Sequence, residues 1–131
     1  MRLWHYELIP YLPDSQLVAQ WRELNSIFKK QDRHILINYV YDYEKEYLWS
    51  YTQLVLNELR QRNYNIKSWD NYNNYFRDTP PTRGLVFKEH DYEYLEICFH
   101  NLLEKYLRGQ KDFTKERFTK LYEFMRCNND R

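Results

Sequence analysis

Leu12-Pro13-Asp14-Ser15-Gln16-Leu17-Val18-Ala19-Gln20-Trp21-Arg22-Glu23-Leu24 runs on through Asn25-Ser26-Ile27-Phe28-Lys29-Lys30. Leu17, Trp21, Leu24 and Phe28 recur at helical period and form one apolar stripe. Pro13 stops the chain just before it, and Asp14 is placed to cap, so the spacing predicts a helix over 14–30. At about 100° per residue, Gln16, Ala19, Glu23 and Ile27 share one flank, and Arg22 falls on the other.

The same pattern repeats outward. Asp42 is expected to open a second helix whose stripe is Leu48, Tyr51, Val55 and Leu59, with Asn63 as its left-handed exit. Asp91–Arg108 reads as a third helix, with Tyr92, Leu95, Phe99, Leu102 and Tyr106 on one face and Gly109 as its stop. Thr114 caps a fourth, carrying Phe118, Leu121, Tyr122 and Met125, with Phe113 and Phe118 placed as a hydrophobic staple. All four prolines fall outside these helices. Periodicity leaves Arg33–Tyr41 open between strand and buried helix. Asn65–His90, rich in Asn and Asp and holding Pro80-Pro81, reads as a long connection. The expectation is an all-α class: a compact bundle of three to four helices, an extended N-terminal segment packed between them, and a single domain over 1–131.

Composition narrows the function. The 131 residues contain two glycines, Gly84 and Gly109, far apart, which excludes dinucleotide and P-loop phosphate cradles. Cys98 and Cys127 cannot staple a disulfide scaffold or build a four-cysteine zinc site, and Cys98 lies on an apolar helix face as a buried small hydrophobe. His5, His34, His90 and His100 have no metal-ligand spacing, so no metal and no cofactor are expected. The 14 tyrosines are expected in the core with their hydroxyls at the rim rather than as a base-stacking platform. No apolar run reaches a membrane span and no signal peptide is recognisable, so a cytoplasmic protein is expected. The net charge of +1 argues against indiscriminate coating of DNA, but it is unevenly spread. Residues 36–104 carry −4 and residues 105–131 carry +4. One localised basic face remains compatible with DNA.

Three blocks carry a resemblance. The first is Met1-Arg2-Leu3-Trp4-His5 followed by the 12–24 stretch quoted above. The second is Leu54–Ile66, with Asn57-Glu58-Leu59-Arg60-Gln61-Arg62-Asn63-Tyr64. The third is His90-Asp91 with Glu104-Lys105. Together, over roughly 1–108, they resemble the pyrimidine-dimer DNA glycosylases of the endonuclease V type, which excise ultraviolet photoproducts.

The resemblance implies a DNA repair glycosylase with abasic-site lyase activity. Its nucleophile is the N-terminal α-amine, a group whose reference pKa of about 7.7–8.0 leaves a useful neutral fraction near pH 7. The amine attacks the sugar C1′, displaces the base and forms a Schiff base. The resemblance assigns that amine to Met1 and the assisting carboxylate to Glu23, which stabilises the cationic sugar and moves a proton in β-elimination. It also implies DNA contacts from Arg2, His5, Gln16, Arg22, His90 and Lys105. The implied partner is double-stranded DNA with a damaged or abasic site, its nucleotide flipped out of the stack, bound by a monomer. The sequence departs from the pattern in three places. Bulky Arg2 should block removal of Met1, where the family exposes a threonine. Ser26 stands where the family carries a phosphate-binding arginine, and the overall charge is near neutral; the fourth helix, besides, has no counterpart. A non-catalytic helical module binding nucleic acid or protein, or an enzyme acting on modified nucleotides in RNA, are the alternatives.

Overall fold

A computed structural model describes residues 1–128. The last three residues of the basic C-terminal quarter, and of the expected 1–131 domain, lie outside that range. Helix α1 spans Asp14–Lys30 and buries Leu17, Gln20, Trp21, Leu24, Ile27 and Phe28. The expected stripe is its inner face. Its start differs from expectation: Pro13 holds the capping position with extended geometry, and Asp14 is the first helical residue. There Asp14 still favours the positive helix end, and its carboxylate takes a 2.8 Å ion pair from Arg62.

Helix α2 is Lys45–Gln61, not a helix opened by Asp42. Asp42 instead closes a 3-10 segment, Asn38–Asp42, and Tyr43 and Glu44 are extended before α2 begins. That segment, preceded by a turn, also resolves the ambiguous 33–41 run. Asn63 exits α2 in the left-handed region as expected (φ 65°). Helix α3, Trp69–Tyr75, lies inside the stretch expected to be a loop. Trp69, Tyr72 and Phe76 had helical spacing, but the intervening Asn and Asp residues masked it. The burial that decides the matter is tertiary: Trp69 and Tyr72 pack against Trp21, and Phe76 against Phe28.

Helix α4 is Tyr92–Leu107, capped by Asp91, whose side chain accepts the Tyr94 amide at 2.9 Å. Gly109, at φ 84°, ends it in a conformation that glycine adopts without strain. Helix α5 is Lys115–Cys127, capped by Thr114, with Phe113 and Phe118 in edge contact at 5.8 Å as the staple predicted. Tyr106 of α4 stacks flat on Phe118 at 4.1 Å, which fastens α5 to α4.

The N-terminal segment is packed between the helices, but only its first five residues and Leu12-Pro13 are non-helical. Tyr6–Tyr11 coils as a 3-10 helix. The His5 ring starts it by accepting the Glu7 amide. Leu3, Trp4, Leu8, Ile9 and Leu12 are buried, so this segment supplies core rather than covering it. It touches α2, α4 and α5 at once. Arg62, at the exit of α2, clamps its far end: the guanidinium donates to the carbonyls of Leu12 and Pro10 as well as to Glu58 and Asp14. Among the described residues no helix is long and apolar enough to cross a membrane.

Candidate active site at the N-terminus

Residues 2–5 belong to no helix or sheet, so their buried backbone groups need partners from elsewhere. Side chains supply them. The Arg2 carbonyl accepts from Gln20 Nε2 at 3.0 Å. The Leu3 carbonyl accepts the Tyr94 hydroxyl at 2.5 Å. The Trp4 amide donates to Gln20 Oε1 at 2.8 Å, and the Trp4 carbonyl accepts the Tyr51 hydroxyl at 2.6 Å. The Tyr6 amide donates to His90 Nδ1 at 3.2 Å. Helices α1, α2 and α4 thus each contribute a group that fixes the peptide leading to the chain's first amine.

Glu23 is half-buried on the flank of α1 that faces this peptide. Burial pushes its carboxyl above the ordinary range. The N-terminal charge, the Arg2 amide and Arg22 oppose that shift, in that order. Met1, Arg2 and Glu23 therefore form one electrostatic group, although the Met1 nitrogen stands outside direct ion-pair distance of the carboxylate. Gln20 joins the group through a 3.0 Å bond from Nε2 to Glu23 Oε2. Reading the sequence missed Gln20. Its one signal was a polar residue next to the apolar stripe.

The other nominated residues are distributed unevenly. Arg22 is exposed, on the rim of a groove lined by Trp21, Asn25 and Lys67. Gln16 is half-buried one helical turn before Gln20 and shares the Glu23 flank of α1. Arg2 turns its guanidinium towards the Trp4 ring, 5.9 Å away, and towards Tyr94 and Cys98 of α4. Cys98 is fully buried, as its helix face predicted. Lys105, half-buried in the last turn of α4, is about 10 Å further along that helix than Cys98.

His5 and His90 differ from expectation. They are 1% and 5% exposed, with rings stacked at 5.5 Å. Both support the N-terminal peptide instead of presenting a nitrogen to phosphate. His90 uses both nitrogens internally: Nδ1 accepts the Tyr6 amide, and Nε2 lies 2.7 Å from the Tyr39 hydroxyl. Since Nδ1 is an acceptor, the neutral ring carries its proton on Nε2. Among the described residues no group of three His, Cys, Asp or Glu side chains is placed to hold a metal ion.

Burial, reinforced by His5, lowers the His90 pKa from 6.5 to about 3. The fold therefore refuses a proton that the unfolded chain accepts. This stability is present above pH 6.5 and is lost as pH falls from there towards 3. Between pH 6.5 and 4.5 the contribution is roughly 2–3 kcal/mol. Urea midpoints at those two pH values should fall more for the wild type than for His90→Gln, whose amide keeps one acceptor and one donor but cannot titrate.

The sequence model of the family described as pyrimidine dimer DNA glycosylase matches residues 1–71. Those residues hold the N-terminal segment, α1, α2 and the start of α3, hence both Met1 and the Gln20–Glu23 turn. His90 and Lys105 lie beyond the match. No curated protein and no solved structure matches the chain. The match covers more than half of the 131 residues and includes the whole of the peptide-locking arrangement on α1, and the chain belongs to the pyrimidine dimer DNA glycosylase family.

Proposed function

We propose that this protein is a DNA glycosylase and abasic-site lyase that works through its N-terminal amine, with Met1 as nucleophile and Glu23 as the assisting carboxylate. One observation carries the reading. The peptide bearing the Met1 amine is tied to Glu23 through Gln20, whose Nε2 donates both to the Arg2 carbonyl and to Glu23 Oε2. Such preorganisation is what a reaction between a weak nucleophile and a sugar carbon requires.

The neutral amine attacks C1′ of the damaged nucleotide. A C1′–N bond forms, and the bond from C1′ to the base breaks, the base leaving with the electron pair and gaining a proton. Loss of the amine proton and opening of the sugar ring give the Schiff base. The positive charge that develops at C1′ faces the Glu23 carboxylate, whose two roles are to stabilise it and to carry the C2′ proton when the 3′ phosphate leaves in β-elimination. C1′ is inaccessible in a stacked duplex, so the nucleotide must be turned out to meet the amine.

Arg22, exposed beside Glu23, and Arg2, at the amine, are the residues for phosphate contact, with Gln16 facing the opened duplex. Lys105 and the exposed Lys115, Lys120 and Arg126 add positive charge on α4 and α5. Helix α5 packs against the 3-10 segment that follows the amine-bearing peptide, with Tyr11 stacked on Phe124 at 5.0 Å. The basic quarter is thereby tied to the site's own segment. We take residues 1–131 as one domain acting as a monomer; a single core cluster from Leu3 to Leu121 supports the one-domain part.

The test is borohydride trapping on two duplexes, one with a single abasic site and one with a thymine dimer. A covalent complex on both is the expected result. Trapping on the abasic duplex alone identifies a lyase of different lesion choice. No complex on either leaves a non-catalytic module and overturns the proposal.

A further inference from the structure

Gln20 is completely buried on α1, and its amide oxygen and both of its N–H hydrogens have partners. Oε1 accepts the Trp4 amide at 2.8 Å and lies 2.9 Å from the Tyr51 hydroxyl. Nε2 donates one hydrogen to the Arg2 carbonyl and the other to Glu23 Oε2, both at 3.0 Å. The amide cannot be turned over. The Trp4 N–H demands an oxygen on one side, and the Arg2 carbonyl demands a nitrogen on the other. The backbone of residues 2 and 4 therefore dictates that an N–H, not an oxygen, faces Glu23.

We propose that Gln20 is the positioning residue of the amine–carboxylate pair, a role that rests on the Met1–Glu23 reading. One nitrogen holds both the peptide next to the amine and the carboxylate that serves it. The separation of the two reacting groups is consequently set by a single rigid amide. The bond to Glu23 also favours the ionised carboxylate, because an N–H donor stabilises the charged form. Gln20 touches no substrate and acts through Glu23 and the Arg2 carbonyl. Full burial without any unpaired group explains why a glutamine is held among Leu17, Leu24 and Ile27.

Gln20→Glu tests this with almost no change of shape. It sets an oxygen against two acceptors, the Arg2 carbonyl and Glu23, and adds a like charge that raises the titration of Glu23. In single-turnover trapping on an abasic duplex, the rate at pH 7 should fall by roughly 10- to 100-fold, the scale of a misplacement near 1 Å. The acid limb of the pH–rate profile should move to higher pH. Affinity for a duplex with an unreactive tetrahydrofuran abasic analogue should stay within about twofold, because a side chain that reaches no DNA contributes no counterion release. Gln20→Met removes the N–H without adding charge and should give a smaller shift of the limb in the same direction. It serves as the readout if Gln20→Glu does not fold. A variant that melts earlier but keeps the wild-type rate and pH limb, measured well below its melting temperature, overturns the positioning role alone. Failure of the wild type to trap overturns both this role and the function on which it rests.

Discussion

Acetylating the N-terminal amine should abolish borohydride trapping on an abasic duplex, and adding one residue before Met1 should nearly do so. An acetylated nitrogen has no lone pair available for C1′, so the covalent step loses its nucleophile altogether. The extended chain still ends in an amine, displaced by up to about 3.5 Å. That displacement exceeds the tolerance of a near-attack geometry, and a loss of at least 100-fold follows. The two variants together separate the α-amine from every lysine in the chain. If a side-chain amine were the nucleophile, both would trap as the wild type does. The Arg2 carbonyl and the Trp4 amide remain bonded to Gln20 in both, so the melting temperature should hold. Intact mass of the untreated protein should show Met1 retained and unmodified, since the bulk of Arg2 opposes its removal. A protein lacking Met1 that still traps at full rate would sink the assignment of Met1.

The resemblance named Met1 and Glu23, and periodicity named α1, because both signals are local. The Leu17–Phe28 stripe, the Asp91 and Thr114 caps, and the left-handed exits at Asn63 and Gly109 each depend on residues within about one turn of each other. What escaped depends on distant partners. The polar contacts of Gln20 reach 16, 18 and 31 residues along the chain, to Trp4, Arg2 and Tyr51. On α1 alone the side chain reads as an ordinary polar position. His90 meets the Tyr6 amide across 84 residues, so its turn into the interior has no local sign. Helix α3 escaped for a related reason: Trp69, Tyr72 and Phe76 form a stripe only because Trp21 and Phe28 wait to receive it. Asp14 was read as a cap because acidic residues cap well, but Arg62 recruits its carboxylate for an ion pair. Long-range polar satisfaction is thus the layer that periodicity does not reach.

Glu23→Gln should keep the fold and remove the proposed chemistry. The substituted amide offers an oxygen in place of one carboxylate oxygen, so the donor from Gln20 can still be met. What it lacks is negative charge opposite C1′ and a site for the C2′ proton. General acid–base contributions run to about 100- to 10,000-fold, and loss of charge stabilisation adds to that, so strand cleavage should fall by at least about 1,000-fold. Stability should move the other way. Burial raises the Glu23 pKa, so the folded state holds its proton more tightly than the unfolded chain does. Ionising the folded carboxyl therefore costs stability as pH rises from 4.5 through the raised value, and Gln at this position escapes that cost. The variant should melt no lower than the wild type at pH 7, and the difference between them should vanish below pH 4.5. The same sign governs activity: the acid limb of the wild-type rate profile should lie above the ordinary carboxyl range, because only the ionised carboxylate faces the developing cation. Paired melting and single-turnover measurements across pH 4–8 read both effects at once. A Glu23→Gln protein that cleaves at the wild-type rate, or loses activity only because it has unfolded, would remove Glu23 from the reaction.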